Sequence, residues 1–176
     1  ALSIPPGARG IVLFAHGSGS SRLSPRNNYV ARVLQRAGLA TLLIDLLTRE
    51  EDQDHAARFD IALLTRRLIA TAHWLQQQPA TGTLAIGLFG ASTGAAAALQ
   101  AASVMGTQIA AVVSRGGRPD LAGPQALRNV RSPVLLIVGG NDDVVIGLNR
   151  QAHALLDCHK EMVIVPGASH LFEEPG

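Results

Sequence analysis

Leu84-Ala85-Ile86-Gly87-Leu88-Phe89-Gly90-Ala91-Ser92-Thr93-Gly94-Ala95-Ala96-Ala97-Ala98-Leu99 is the stretch on which the reading of this chain turns. Leu84 to Phe89 is an apolar run of strand length, and the alanine-rich segment after the turn reads as a helix reaching Met105, with Gly106 as its stop. A strand that passes straight into a helix brings backbone against backbone. A side chain at Gly90 or Gly94 would collide there, so the glycines have a steric reason. Ser92, at the centre of the Gly-x-Ser-x-Gly pattern, is held out at the tip of the turn, at the positive end of the following helix.

The same alternation extends in both directions. Ile11 to Ala15 is a short buried strand, preceded by a loop-like Ala1–Gly10 and followed by the glycine–serine loop His16-Gly17-Ser18-Gly19-Ser20-Ser21. Ser24-Pro25 starts a helix, Ser as N-cap and Pro in the first turn. That helix is expected to bury Val30, Val33, Leu34 and Ala37, and Gly38 ends it. Leu39 to Ile44 is a second strand, closed by Asp45. After a charged loop from Arg49 to His55, one long helix is expected to run to about Gln78, with Ala57, Ile61, Leu64, Leu68 and Leu75 on its apolar stripe.

Downstream of Ser92, strands at Ile109–Val113, Val134–Val138 and Met162–Val165 alternate with a short helix around Pro124–Asn129 and a longer one marked by Val145, Leu148, Ala152 and Leu155. Continuously apolar strands alternating with helices indicate a parallel sheet covered on both faces. The fold class is therefore α/β: a compact three-layer α/β/α, doubly wound domain of about six mostly parallel strands, spanning residues 1–176 with no cap domain. Such sheets place their sites at the C-terminal strand ends. The loops beginning at His16, Gly90, Ser114, Gly139 and Pro166 therefore share one rim.

Composition narrows the function. The 47% hydrophobic content over 176 residues fits one globular domain, and the net charge is only +2. Fourteen of the fifteen basic residues are arginines, scattered without a run, which argues against a nucleic-acid or membrane footprint. No apolar stretch reaches the roughly 18 residues of a membrane span. The single cysteine, Cys158, cannot close an internal disulfide, which fits a reducing, cytoplasmic setting.

A serine hydroxyl is a weak nucleophile unless a base lies within hydrogen-bond reach and an acid fixes the tautomer of that base. Of the six histidines, only His16 and His170 fall in strand-exit loops on the Ser92 rim. His170 follows the last strand and is the expected base. Asp142 and Asp143 follow the fifth strand of this reading. Asp142 is preferred as the acid, because it lies where the loop has just cleared the sheet edge, and Asp143 is the alternative. The order Ser92, Asp142, His170 is that of Ser…Asp…His hydrolases. The backbone N–H of Thr93 and that of Ser18 are the expected oxyanion donors. His16, Arg115 and Arg118 are candidate substrate contacts, with Arg22 and Arg26 behind them.

Phe14-Ala15-His16-Gly17, Gly90-Ala91-Ser92-Thr93-Gly94, Gly139-Gly140-Asn141-Asp142 and Gly167-Ala168-Ser169-His170 together resemble the α/β-hydrolase superfamily, in particular its dienelactone-hydrolase-like branch. The resemblance covers nearly the whole chain. It implies an ester or lactone hydrolase with an acyl-enzyme intermediate, no metal and no cofactor, whose partner is a small-molecule substrate; homodimerisation is left open. Three departures stand out. Ser92 replaces the cysteine of the founding enzymes, the family's two strands before Ile11 are absent, and so is its helix after the histidine. With those pieces missing, one sheet edge is expected to be bare and the His170 loop poorly anchored. With no long insertion after the fourth strand, the site is expected to be open and to prefer short acyl chains.

Each residue also has a plainer reading. Ser92 could be a turn residue, His170 a surface histidine, Asp142 an N-cap and His16 a structural ring. The chain as a whole could be a non-catalytic relative that binds a ligand, or an acyltransferase. It could also be a dinucleotide-binding domain, with Gly17-Ser18-Gly19 after the first strand and Asp45 after the second, although Arg22 stands where that fingerprint needs its third glycine.

Overall fold

A computed structural model describes residues 1–175. One sheet contains β1 (Leu2–Ser3), β2 (Gly10–Ala15), β3 (Ala40–Leu43), β4 (Ala85–Ala91), β5 (Ile109–Arg115), β6 (Val134–Gly139) and β7 (Lys160–Val165). Their order is β1-β3-β2-β4-β5-β6-β7. β2 to β7 are parallel, and β1 alone is antiparallel, pairing Leu2 with Leu42 of β3. β1 corrects the expectation of a loop across Ala1–Gly10. Two residues carry no readable periodicity, and their strand conformation comes from pairing with an otherwise open edge.

The helices are α1 (Pro25–Arg36), α2 (His55–Arg58), α3 (Ile61–Gln77), α4 (Thr93–Met105), α5 (Pro124–Asn129) and α6 (Asp143–Leu155). Right-handed crossovers fix which face each one covers. The chain steps from β2 to β3 in one direction and in the opposite direction in every later crossover. α3, α4, α5 and α6 therefore share one face and pack in series, and α1 alone lies on the other. The expectation of cover on both faces holds only around β2–β4. On the α1 side of the later strands, Ala111 is exposed, Leu135 and Ile137 are half-buried, and Val163 is 45% exposed.

α4 explains the run of small residues. Ala95 to Leu99, Ala101 and Ala102 are all 1% exposed or less, because the helix is enclosed by the sheet, α3 and α5. A helix apolar on every side is a buried helix, and alanine lets its neighbours approach closely. Around it lie Leu13, Leu68, Leu75, Leu88, Leu136 and Leu156, all 2% exposed or less. Truncating such a leucine to alanine typically costs about 2–5 kcal/mol.

Two helix readings are corrected. The single helix ending near Gln78 is broken between α2 and α3. The Asp60 carboxylate accepts from the Leu63 N–H at 2.9 Å and caps a new helix start, which outcompetes continuation through Phe59. Ala57 therefore lies on α2, outside the α3 stripe. In α1, Ser24 caps as expected, accepting from the Asn27 N–H at 3.3 Å, but Val33 and Ala37 are exposed. The buried positions are Asn27 and Ala31.

The direction of the crossovers reverses between β2 and β4. Loops on either side of that point diverge and leave a crevice, which is where ligands bind in open α/β sheets. Ser92 leaves β4 on one side of it, and His16-Gly17-Ser18 leaves β2 on the other.

Candidate active site

Ser92 has φ 50° and ψ −121°, a conformation that costs a non-glycine residue roughly 1–3 kcal/mol. The surroundings impose it. A Cβ at Gly90 would lie 2.4 Å from the Ala95 Cα, and one at Gly94 would lie 2.2 Å from the Ala15 carbonyl oxygen. These are the collisions that the sequence argument anticipated. The Ser92 carbonyl is pinned by the N–H groups of Ala95 and Arg118, each at 3.1 Å. Ser92 occupies the N-cap position of α4, yet its side chain makes no capping bond. Its hydroxyl is left available in the crevice, which removes the main structural reason for a serine at that position.

A second assembly holds His170. The Gly139-Gly140-Asn141 turn is stitched to the loop after β7. Gly140 N–H donates to the Val165 carbonyl at 2.8 Å, Asn141 N–H to Ala168 at 3.0 Å, and the Asn141 side chain to Gly167 at 2.9 Å. A Cβ at Gly139 would lie 2.5 Å from the Ala168 and Ser169 carbonyl oxygens, so only glycine admits this approach. The two loops then place His170 Nδ1 2.6 Å from Asp142 Oδ2. A carboxylate only accepts, so Nδ1 carries the proton and Nε2 of the neutral ring presents a lone pair. The Asp142 side chain is 15% exposed. Asp142 sits at the N-cap position of α6 without capping it, whereas Asp143 is exposed in the first turn of that helix. The acid beside the ring is thus Asp142.

Ser92 and His170 both line two cavities, of about 220 Å³ and about 280 Å³. Among the described residues no Ser92–His170 hydrogen bond is formed. The smaller cavity is bounded by Ser18, Arg26, Asn27 and Arg115. The other is bounded by Phe59, Thr93, Arg118, Asp142 and Val145.

The remaining sequence candidates fall into distinct roles. His16 is buried, accepting from the Leu46 N–H at Nε2 (2.9 Å), which leaves Nδ1–H to donate to the Gly17 carbonyl at 2.9 Å. It holds the first loop and lines neither Ser92 cavity. Arg118 is neutralised by the two oxygens of Asp120 at 2.8–2.9 Å, so it does not form a fork with Arg115. Arg22 pairs with Asp45. That pairing occupies the acid which a dinucleotide ribose would need, and the strand order from β2 onward, 2-1-3-4-5-6, is not the 3-2-1-4-5-6 of dinucleotide-binding domains. Sequence reasoning missed Asn27 and Phe59. The i, i+4, i+7 spacing of Asn27, Ala31 and Leu34 was the readable signal for the first.

Comparison with known proteins bears on the family and the fold. A dienelactone hydrolase from Anabaena variabilis is 61% identical, with a TM-score of 0.95 over 99% of this chain and 82% of that one. A monoacylglycerol lipase from Paleococcus ferrophilus shares the fold at 17% identity, with a TM-score of 0.76 over 99% and 91% of the two chains. A Mycobacterium tuberculosis protein provisionally named a phosphoribosyl transferase is 59% identical over 175 residues, which is 99% of this chain and 39% of that protein. The chain thus spans about two fifths of that relative. The profile of the Dienelactone hydrolase family matches residues 2–176, and this chain belongs to that family.

Proposed function

We propose that the chain is a serine hydrolase of small carboxylic esters or lactones, with Ser92 as nucleophile, His170 as base and Asp142 as the acid that orients it. The observation that carries the reading is the 2.6 Å Asp142–His170 bond beside a strained serine whose hydroxyl caps nothing. In this mechanism Ser92 Oγ attacks the carbonyl carbon as His170 Nε2 takes its proton. The oxyanion accepts from the N–H groups of Ser18 and Thr93. Collapse breaks the bond to the alcohol oxygen, which leaves with the proton from His170. Water then attacks the acyl-enzyme by the same route. The Ser92–His170 hydrogen bond forms as substrate closes the gap, a common difference between free and occupied sites. The chemistry needs neither metal nor cofactor.

Membership of the family and the fold shared with a lipase support hydrolysis. The two cavities that Ser92 itself lines are small, which supports short acyl chains; the apolar cavity of about 860 Å³ beyond Arg26 and Arg115 does not reach Ser92. The transferase name belongs to a relative of which this chain covers 39%, and no feature of the Ser92 site favours that activity. Among the described residues no helix is long and apolar enough to cross a membrane, and an unpaired Cys158 suits a cytoplasmic enzyme. A fluorophosphonate probe tests the reading: wild type is labelled and Ser92→Ala is not. Wild type that stays unlabelled and turns over no p-nitrophenyl ester would instead be a binding module on a hydrolase fold. A series of p-nitrophenyl esters reads the chain-length preference, with the maximum expected at acetate to butyrate.

A further inference from the structure

Ester hydrolysis leaves one property of the smaller cavity unused, its positive charge. Arg115, at the end of β5, is half-buried there without a carboxylate partner. Its guanidinium donates to Asn27 Oδ1 at 3.1 Å and lies 5.6 Å over the Phe89 ring. Burial, with the neighbouring charge of Arg26 as a second cause, lowers its pKa to about 10. Arg26 lines the same cavity, and its Nε is buried without a hydrogen-bond partner. Its Nη1 pairs at 2.5 Å with Glu173, a side chain 58% exposed. Arg26 also stands in the first turn of α1, where the macrodipole disfavours a cation, and no acid occupies that turn. Arg22, Arg58, Arg67 and Arg118 each have a carboxylate.

Two guanidinium groups and a positive helix end thus border one small cavity whose lining carries no carboxylate; Glu173 and Glu174 lie on the far side of the two arginines, in an adjoining cavity of about 860 Å³ that Arg26 and Arg115 also line. Gathering like charges away from water is unfavourable unless an anion completes the set. We infer that Arg26 and Arg115 form an anion-binding subsite beside Ser92, and that the ester hydrolysed there carries a phosphate group. The inference rests on the hydrolase reading and names its substrate class. The donor inventory selects phosphate over carboxylate. The remaining N–H groups of Arg115, the Arg26 Nη1 freed from Glu173 and the hydroxyls of Ser18, Ser20 and Ser24 exceed what two carboxylate oxygens accept, but suit three phosphate oxygens. Exchange of Glu173 for the substrate leaves two guanidinium charges facing a dianion. Asn27 and the Phe89 ring hold Arg115 ready, so little of its freedom is lost on binding.

The test uses two matched sets of esters. In one, the acyl group of a p-nitrophenyl ester is phosphoglycolyl, succinyl or butyryl. In the other, acetate is esterified to 2-hydroxyethyl phosphate, 3-hydroxypropanoate or butanol. In at least one set the phosphate member should exceed the neutral member in kcat/KM by about 30-fold and the carboxylate member by about tenfold. Arg115→Met should lower the phosphate-to-neutral ratio by at least about tenfold. If that variant does not fold, Arg26→Gln should lower the ratio in the same direction. Phosphate members no faster than neutral ones in both sets, a carboxylate preference equal to or above that for phosphate, or a ratio indifferent to the arginines would overturn the subsite. Turnover of the neutral esters in those cases leaves the hydrolase reading standing, whereas a wild type inert toward all six esters sinks both.

Discussion

Gly17 and Ser92 touch across the crevice between β2 and β4: a Cβ on Gly17 would stand 2.9 Å from the Ser92 Cβ. The β2 loop therefore approaches the serine only because residue 17 has no side chain. Gly17→Ala is expected to displace the Ser18 N–H and cut ester kcat by at least about tenfold, with a stability loss of about 1–3 kcal/mol from overpacking. Gly94→Ala is expected to be worse, since its Cβ would meet backbone at 2.2 Å that cannot yield. Urea titrations alongside ester kinetics separate the two.

The conformation of Ser92 sets activity against stability. Ser92→Ala and Ser92→Gly should both lose roughly 10⁴-fold or more in turnover. Only Ser92→Gly removes the penalty of φ 50°, and it should be more stable than Ser92→Ala by about 1 kcal/mol. Equal stabilities in denaturant would mean that the turn is not strained.

The neighbouring acids should behave differently. Asp142→Asn leaves His170 with the wrong tautomer and is expected to lower kcat by about 10³–10⁴. Asp143→Asn removes only an exposed charge from the first turn of α6 and should cost under about 1 kcal/mol of stability, with turnover close to wild type. Steady-state kinetics on the pair decides between them.

Far from the site, Glu51 is held by Arg67 at 2.6 and 2.7 Å and by the Thr48 N–H, and its carboxyl is depressed from 4.5 to about 2. A carboxyl depressed in the folded state stabilises above its unfolded value and loses that contribution as pH falls through its folded one. Glu51→Gln should therefore melt below wild type at neutral pH. The gap in Tm should close between about pH 4.5 and about pH 2. A gap that persists at the lower limit would rule out the ion pair as its source.

What the sequence disclosed follows from where its signals are local. The bounds of α4 and α5 were legible because glycine and proline punctuate them. That Ser92, Asp142 and His170 meet at one cavity was legible because strand ends share an edge. The break at Asp60 was hidden because the apolar spacing runs on through Phe59, and only the capping bond reveals a fresh start. The face of α1 was misjudged because Asn27 is drawn inward by Arg115, 88 residues away, while Val33 faces water. Polarity gives no warning of such an inversion. The juxtaposition of Arg26 and Arg115 depends on how α1 sits against β5, which no single stretch encodes.

The main chain around Ser92, not its hydroxyl, does the aiming. Gly90, Gly94 and the pinned carbonyl fix the launch point of the side chain before any heteroatom is specified. Oxygen and sulfur would depart from the same spot in the same direction. A lineage could thus trade an alcohol for a thiol at this position without rebuilding its scaffold, and the choice of element becomes a matter of reactivity alone.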